Sequence, residues 1–334
     1  IYGSIFSIKG NAASQIQFYL TDKTKNFLTG SLYFYSKPNY DSLLPAIRYI
    51  ENDIKHFMET FSWTKNWIMQ NIENLIDLIT LKKISETKFS GKNYKPPWNR
   101  VFGGQVLAQS LNAAYRTVDE NRFVHSMHGY FILPGDIEVP IIYEVDNLRD
   151  GGSFSTRRVI AYQNNKAIFN MAASFQLNQK GLEHQMKVPN VKKPDKLINV
   201  QEIKNEESIP SKLLNIINAV HPSIIEMRPV EDILNKLIDD SKANNDIWFK
   251  TKKKLSLKLP IKQQLLAYFS DYSLLLTGTF PHRSRINKSR VFTASLDHSI
   301  WFHRAFNIDD WLLYKIKSPS ASNSRVFSRG NIFN

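Results

Sequence analysis

Hydrophobic positions along this chain alternate between two periods, and the alternation predicts where helices and strands lie. Ile47, Ile50, Ile54, Phe57 and Phe61 recur at helical spacing, an apolar stripe that must pack on something. Residues 1–74 therefore read as a helical N-terminal extension of unassigned role, with poor order allowed for before Pro38. From Phe102 the pattern changes. Phe102-Gly103-Gly104-Gln105 leads into residues Val106 to Val118, where Leu107, Leu111 and Ala114 repeat at helical spacing. Ala108, Ser110, Ala113 and Ala114 are small, so this helix can be approached closely from several sides. Strand-like runs follow at Phe123–Leu133, Val139–Val145, Phe154–Tyr162 and Ala167–Gln176. The turn formers Pro134-Gly135-Asp136, Asp150-Gly151-Gly152 and Asn164-Asn165 separate them. A buried helix followed by an antiparallel meander predicts an α+β unit, a helix wrapped by a curved sheet.

Beyond this block the chain turns rich in Lys, Glu, Asn and Pro. Short helical patterns fall near Leu213–Val220 and Val230–Ile238, and the stretch reads as a loosely packed linker. A second helical run, Ile261–Leu276, then precedes strand-like runs at Val291–His303, Trp311–Ile316 and Arg325–Phe333. The second block echoes the first. Trp301-Phe302 answers Tyr130-Phe131 and Leu312-Leu313-Tyr314 answers Ile141-Ile142-Tyr143, both at an offset of 171 residues (302 against 131, 314 against 143). A register shared across two strands and a turn predicts an internal duplication. The first block has a fourth strand ending in Ala173-Ser174-Phe175-Gln176, and the second stops before its counterpart. The expected organisation is an extension over 1–74, a first unit over 75–180, a linker over 181–245 and a second unit over 246–334, short of its last strand.

At 334 residues, 42% hydrophobic and 22% charged, the chain has room for about two domains and is neither wholly disordered nor collagen-like. Its longest apolar runs, such as Leu274-Leu275-Leu276, are too short to span a bilayer. Without cysteine there is no disulfide, thiolate nucleophile or zinc–thiolate site. A net charge of +14 favours anionic partners: nucleic acid, an acidic membrane face or a phosphorylated small molecule. Dense basic runs are confined to Lys252-Lys253-Lys254 and Lys192-Lys193, so a nucleic-acid tract is not expected and a solvated basic surface is the plain alternative.

Candidate chemistry narrows quickly. His298 and His303 beside Asp297 suggest a metal, but residues five apart on a strand point to opposite faces, and no metal site is expected. Gly103-Gly104 lacks the third glycine of a dinucleotide fingerprint, so no cofactor is expected, and no GxSxG elbow occurs. Two positions remain. Asp271 lies among aromatics in Tyr268-Phe269-Ser270-Asp271-Tyr272, at the head of an apolar run. Ser295 precedes Leu296-Asp297-His298, and period two puts Ser295, Asp297 and Ser299 on one strand face. A carboxylate and a hydroxyl converging near a helix start can hold a water and aim it at an acyl carbonyl. The alternative makes Ser270 or Asp271 a helix N-cap and Ser295 an ordinary strand residue.

The segments Arg100-Val101-Phe102-Gly103-Gly104-Gln105-Val106 and Phe131-Ile132-Leu133-Pro134-Gly135-Asp136 are recognisable, as are the run from Leu148 to Val159 and the run from Ser295 to Arg304. Together they resemble the type II acyl-CoA thioesterases, bacterial thioesterase II and its peroxisomal relatives, from about Leu75 to the last residue and in order throughout. The resemblance implies a double hot-dog fold and hydrolysis of fatty acyl-CoA to free acid and CoA. It also implies a water oriented by an Asp, a Thr or Ser, and a Gln. The Asp falls on Asp271 and the hydroxyl on Ser295. The Gln belongs to a strand beyond Asn334, so the chain as given is expected to be weak or inactive. In the first unit Gln176 is the analogous strand-end residue, and Gln105 answers Asp271.

A thioester carbonyl is already electrophilic, so its hydrolysis needs a placed water, a proton acceptor and a stabilised oxyanion. Aromatic neighbours such as Phe269 and Tyr272 raise an Asp pKa by desolvation, and helix-terminal N–H groups near Ser270 are expected to polarise the carbonyl. The expected partner is acyl-CoA, with a homo-oligomer left open. A peroxisomal setting follows from the resemblance and a cytoplasmic one otherwise, with no targeting signal visible. The competing reading from another class is a non-catalytic acyl-CoA binding or regulatory hot-dog protein.

Overall fold

The computed structural model describes residues 2–24, 27–35, 39–61, 71–96, 100–200, 202, 224–233, 236, 240–286 and 292–334. The chain divides into two units, 1–66 and 67–334. In the first unit β1 (Tyr2–Ser7), β2 (Ser14–Thr21) and β3 (Phe27–Tyr33) form an antiparallel sheet in that order, followed by α1 (Tyr40–Thr60). The predicted stripe is the helix face that packs: Ile47 is buried, and the Phe57 ring meets Phe18 of β2 edge-on at 5.9 Å. The sheet ahead of it was not expected. Its signal is the alternation Ile16, Phe18, Leu20, which period-two reading assigns to one face.

The second unit begins with α2 (Ile72–Ile79), β4 (Lys82–Lys83), β5 (Lys88–Gly91) and α3 (Gly103–Tyr115). Four long strands follow, β6 (Arg122–Phe131), β7 (Ile141–Asp150), β8 (Phe154–Gln163) and β9 (Lys166–Leu177), close to the four predicted runs. Next come β10 (Ile225–Pro229), β11 (Asn244–Thr251), α4 (Leu259–Ser270) and α5 (Leu274–Thr279), then β12 (Asp297–Trp301), β13 (Leu312–Ser322) and β14 (Arg325–Phe333). They build a seven-stranded sheet, β12-β6-β9-β8-β7-β5-β4, and a four-stranded one, β10-β11-β13-β14. Leu107, Ala108, Leu111, Ala113 and Ala114 of α3 are completely buried, as a helix clasped by a sheet requires. On β8 the inward positions run Ser155, Arg157, Val159, Ala161. The fully buried Arg157 is held by Asp150 at 2.7 Å, by the Thr117 carbonyl at 2.7 Å and by the Arg149 carbonyl at 3.0 Å. The Leu148–Val159 motif is thus a structural clasp.

The duplication is written into strand register. Ile142 pairs with Tyr162 and Leu313 with Phe333; Asp146 pairs with Arg158 and Lys317 with Arg329. Each second pair lies 171 residues after the first, the separation of His128 and Ser299. The irregularity between Asn147 and Arg149 recurs between Lys317 and Ser320. The two repeats within residues 67–334 meet where β6 pairs antiparallel with β12, and there His128 faces Ser299, its own counterpart. In the first repeat β9 lies between β6 and β8; among the described residues no strand lies between β12 and β14.

Three expectations need correcting. The linker region supplies β10 and the first two residues of β11, and Ile225 and Met227 of β10 are core residues. Its predicted helix at 213–220 lies outside the described residues, as do 234, 235, 237 and 238 of the run over 230–238. The helical run over 261–276 is broken: α4 stops at Ser270, and Ser273 takes a left-handed conformation (φ 69°) before α5 begins. Of the run over 291–303, β12 takes Asp297–Trp301.

Candidate active site

The helices α3 and α4 pack on each other through Asn112, which donates to Gln264 Oε1 at 3.0 Å, and Tyr115, whose hydroxyl donates to Gln263 Oε1. The packing places the C-terminal end of α4 against the N-terminal turn of α3. Asp271, the C-cap of α4, is held there, and the Gly104 N–H donates to its carboxylate. Two glycines make this approach possible. A Cβ on Gly103 would stand 2.7 Å from Asp271 Oδ2, and one on Gly104 would overlap the Tyr268 backbone oxygen. The first turn of α3 carries no side-chain cap. Its Gln105 and Val106 N–H groups turn back to the Phe102 carbonyl, and the Gly104 N–H, at the positive end of the helix dipole, is the one given to Asp271.

Around the carboxylate lie Ser295, whose hydroxyl donates to Asp271 Oδ1 across 3.5 Å, and His298, whose Nδ1 is 3.8 Å from the same oxygen. His298 Nε2 is 3.0 Å from Ser270 Oγ, and Ser270 donates to the Ala267 carbonyl at 2.9 Å. The Asp271 side chain is 9% exposed and that of His298 6%. Burial pushes the Asp271 carboxyl above the usual carboxylate range, against the opposing pull of His298 whenever its ring is charged, of the Gly104 N–H and of the Ser295 hydroxyl. Burial likewise pulls His298 below the usual imidazole range, so the ring is neutral at pH 7. Phe102, Tyr268 and Tyr272 pack together beside the cluster, with Phe102 and Tyr272 face to face at 5.0 Å and Tyr268 edge-on to both. A cavity of about 2020 Å³ reaches Ser270, Asp271, Ser295 and His298 and runs between β12 and β14. Its lining includes Leu274, Leu275, Phe292, Ile300 and Phe327.

The two residues singled out from sequence, Asp271 and Ser295, are brought together across 24 positions of chain. Other details differ. Asp271 caps the end of α4, so the N-cap alternative does not hold, and the helix-terminal N–H groups come from α3 rather than from around Ser270. Ser295 lies ahead of β12, outside its alternation; Asp297 and Ser299 are exposed while His298 points inward. Gln105 does not match Asp271 in position. It sits in the first turn of α3, with its amide donating to Asn93 Oδ1 at 2.7 Å. The sequence reading gave no part in the site to Gly103 and Gly104, weighed as a nucleotide motif, or to His298, weighed as a metal ligand. Among the described residues no cluster of three or more acidic, His or Cys side chains is disposed to hold a metal. No described helix is long and apolar enough to cross a membrane.

Comparison with known proteins decides what this cluster belongs to. Residues 94–176 match the model of the acyl-CoA thioesterase N-terminal domain, and residues 226–334 that of acyl-CoA thioesterase. Acyl-CoA thioesterase 2 of Haemophilus influenzae is 40% identical over 266 residues, covering 78% of this chain and 92% of that protein. The chain belongs to the type II acyl-CoA thioesterase family. Human acyl-coenzyme A thioesterase 8 is 34% identical, covering 77% of this chain and 82% of the relative. The solved structure of acyl-CoA thioesterase II from Mycobacterium marinum superposes with a TM-score of 0.63 at 35% identity, covering 77% and 90% of the two chains. The fold is the double hot-dog, and this type II thioesterase hydrolyses acyl-CoA thioesters. Residues 1–63 instead match the model of the gliding motility lipoprotein GldD.

Proposed function

We propose that Asp271 is the general base of acyl-CoA hydrolysis and that Ser295 helps it orient the attacking water. What carries the reading is the convergence of a buried, proton-avid carboxylate and a hydroxyl on one cavity, 3.5 Å apart. Water gives its proton to Asp271 as its oxygen bonds to the thioester carbon. The C–S bond then breaks, and the departing CoA sulfur takes the proton from Asp271, leaving the fatty acid. Carboxylate assistance of this kind is worth about 10² to 10⁴ in rate. Partial positive charge at the head of α3 keeps the carboxylate ionisable despite its burial.

The family resemblance calls for a glutamine as the third group. In the first repeat Gln176 pairs with Phe123, whose counterpart 171 residues later is Ala294, next to Ser295. A fatty acyl chain suits the apolar lining, and Arg304, Arg325 and Arg329 in the same lining suit the phosphates of CoA. A peroxisomal setting has the support of a Saccharomyces cerevisiae relative, the peroxisomal acyl-coenzyme A thioester hydrolase 1, at 26% identity; fluorescent tagging in the native host tests it.

Release of thiol from palmitoyl-CoA, followed with a thiol reagent, tests the assignment. Asp271→Ala and Ser295→Ala should both lose turnover while still binding substrate. A protein that binds acyl-CoA and releases no thiol would favour the regulatory reading.

A further inference from the structure

We propose that His298 is a positioning residue that makes Asp271 a stronger base by offering it a bare ring nitrogen. The inference rests on Asp271 being the base. A hydrogen-bond chain of fixed polarity carries it. The Ala267 carbonyl can only accept, so the single hydroxyl proton of Ser270 points to it over 2.9 Å. Ser270 Oγ is then left to accept, and His298 Nε2, 3.0 Å away, must be the donor. A neutral ring protonated on Nε2 carries its lone pair on Nδ1, and Nδ1 is the atom that faces Asp271 Oδ1 at 3.8 Å. Against an ionised carboxylate, two lone pairs face each other. Once Asp271 has taken a proton on that oxygen, the same pair becomes a donor and an acceptor. His298 therefore favours the protonated acid over the carboxylate and holds the proton between its removal from water and its transfer to the CoA sulfur. It exchanges no proton itself, and the reaction still balances as acyl-CoA plus water giving acid plus CoA.

The charged and titratable groups around the pair are few. From β12 Asp297 acts on His298, and Tyr272, after α4, and Tyr314, on β13, are the other titratable groups coupled to Asp271. Tyr314 donates its hydroxyl to the Ser270 carbonyl at 2.9 Å, pinning the end of α4 that bears both Ser270 and Asp271. On the β6 side His298 is paired with Gly129, which brings no side chain to compete.

Two measurements on the full chain test this. Nitrogen NMR of the imidazoles, with His298 assigned by loss in His298→Gln, should show the Nε2–H tautomer; an Nδ1–H tautomer overturns the proposal. The second is the pH dependence of kcat/KM for palmitoyl-CoA. His298→Gln keeps a donor for Ser270 and places nothing at Nδ1, so its acid limb should move down by about one pH unit, with kcat about tenfold lower and KM unchanged. His298→Asn returns an acceptor near the Nδ1 position and should recover part of both. Acid limbs that coincide in wild type and both variants would overturn the proposal while leaving Asp271 as base. Full activity in Asp271→Asn would instead remove the base itself.

Discussion

Replacing Asp271 by Asn separates two consequences of the same buried carboxylate. The amide keeps the shape, can still accept from the Gly104 N–H and the Ser295 hydroxyl, and differs in having no place for a proton. Loss of general-base assistance alone, at about 10² to 10⁴ in rate, corresponds to roughly 2.7–5.4 kcal/mol on the barrier. Stability should move the opposite way. Burial raises the carboxyl pKa in the folded chain, so its favourable contribution is full below the unfolded value, about 3.9, and is lost as pH rises through the folded value. At neutral pH the wild type carries the cost of a desolvated charge that Asn does not. Thermal melts of the two proteins should coincide near pH 4 and diverge in favour of Asp271→Asn at pH 7, while thiol release from palmitoyl-CoA at pH 7 falls by at least two orders of magnitude. Turnover within about threefold of wild type, or a variant less stable at pH 7 than at pH 4 relative to wild type, would refute the assignment of this carboxylate as a buried base.

Four further outcomes follow from the same geometry. Ser295→Ala should lower kcat by roughly 10² to 10³, with Ser295→Thr recovering most of it, because one donor to the reacting centre is removed and then restored; steady-state kinetics read this. Gly104→Ala places a methyl group into the Tyr268 backbone oxygen, so α3 and α4 must separate. A loss of about 1–3 kcal/mol in denaturant unfolding and a weaker Asp271 base are expected, and unchanged stability would contradict the close approach. Arg157→Met leaves the Thr117 and Arg149 carbonyls without their donor inside the first repeat and should cost about 2–4 kcal/mol without touching KM, as urea titration and kinetics together show. Deleting residues 1–66 should leave thiol release unchanged, since the cavity and every residue of the site lie in the unit 67–334; a loss of turnover in a folded 67–334 protein would give the first unit a part in catalysis.

Much of the fold was legible because it is local. Strands β6 to β9 and the helix α3 announce themselves through period and turn residues, and β14 matches its predicted run at both ends. The offset of 171 residues, read from a few aromatic and aliphatic echoes, is the offset that the paired strands keep, bulge included. Local pattern also isolated Asp271 and Ser295, since an acid among aromatics and a hydroxyl beside an Asp-His pair are unusual text. The β10 and β11 strands escaped because their polar surroundings masked short runs, and pairing with β13 is a long-range event. The first three strands escaped for want of any chemistry to draw attention to them.

What the chain alone determined is the repeat, the helix-in-sheet plan of each unit and the two residue types of the site, because periodicity and composition are properties of neighbours. What tertiary structure decided is where the acid sits and what it can do there. Only the crossing of α3 and α4 puts the head of one helix against the tail of the other, so that two glycines, dismissed as a failed nucleotide motif, become the floor beneath a carboxylate. Only the turn of β12 brings His298 inward, where Ser270 fixes which nitrogen bears the proton. Proton affinity depends on burial and on the orientation of a few dipoles within about 4 Å, and neither is a function of sequence separation.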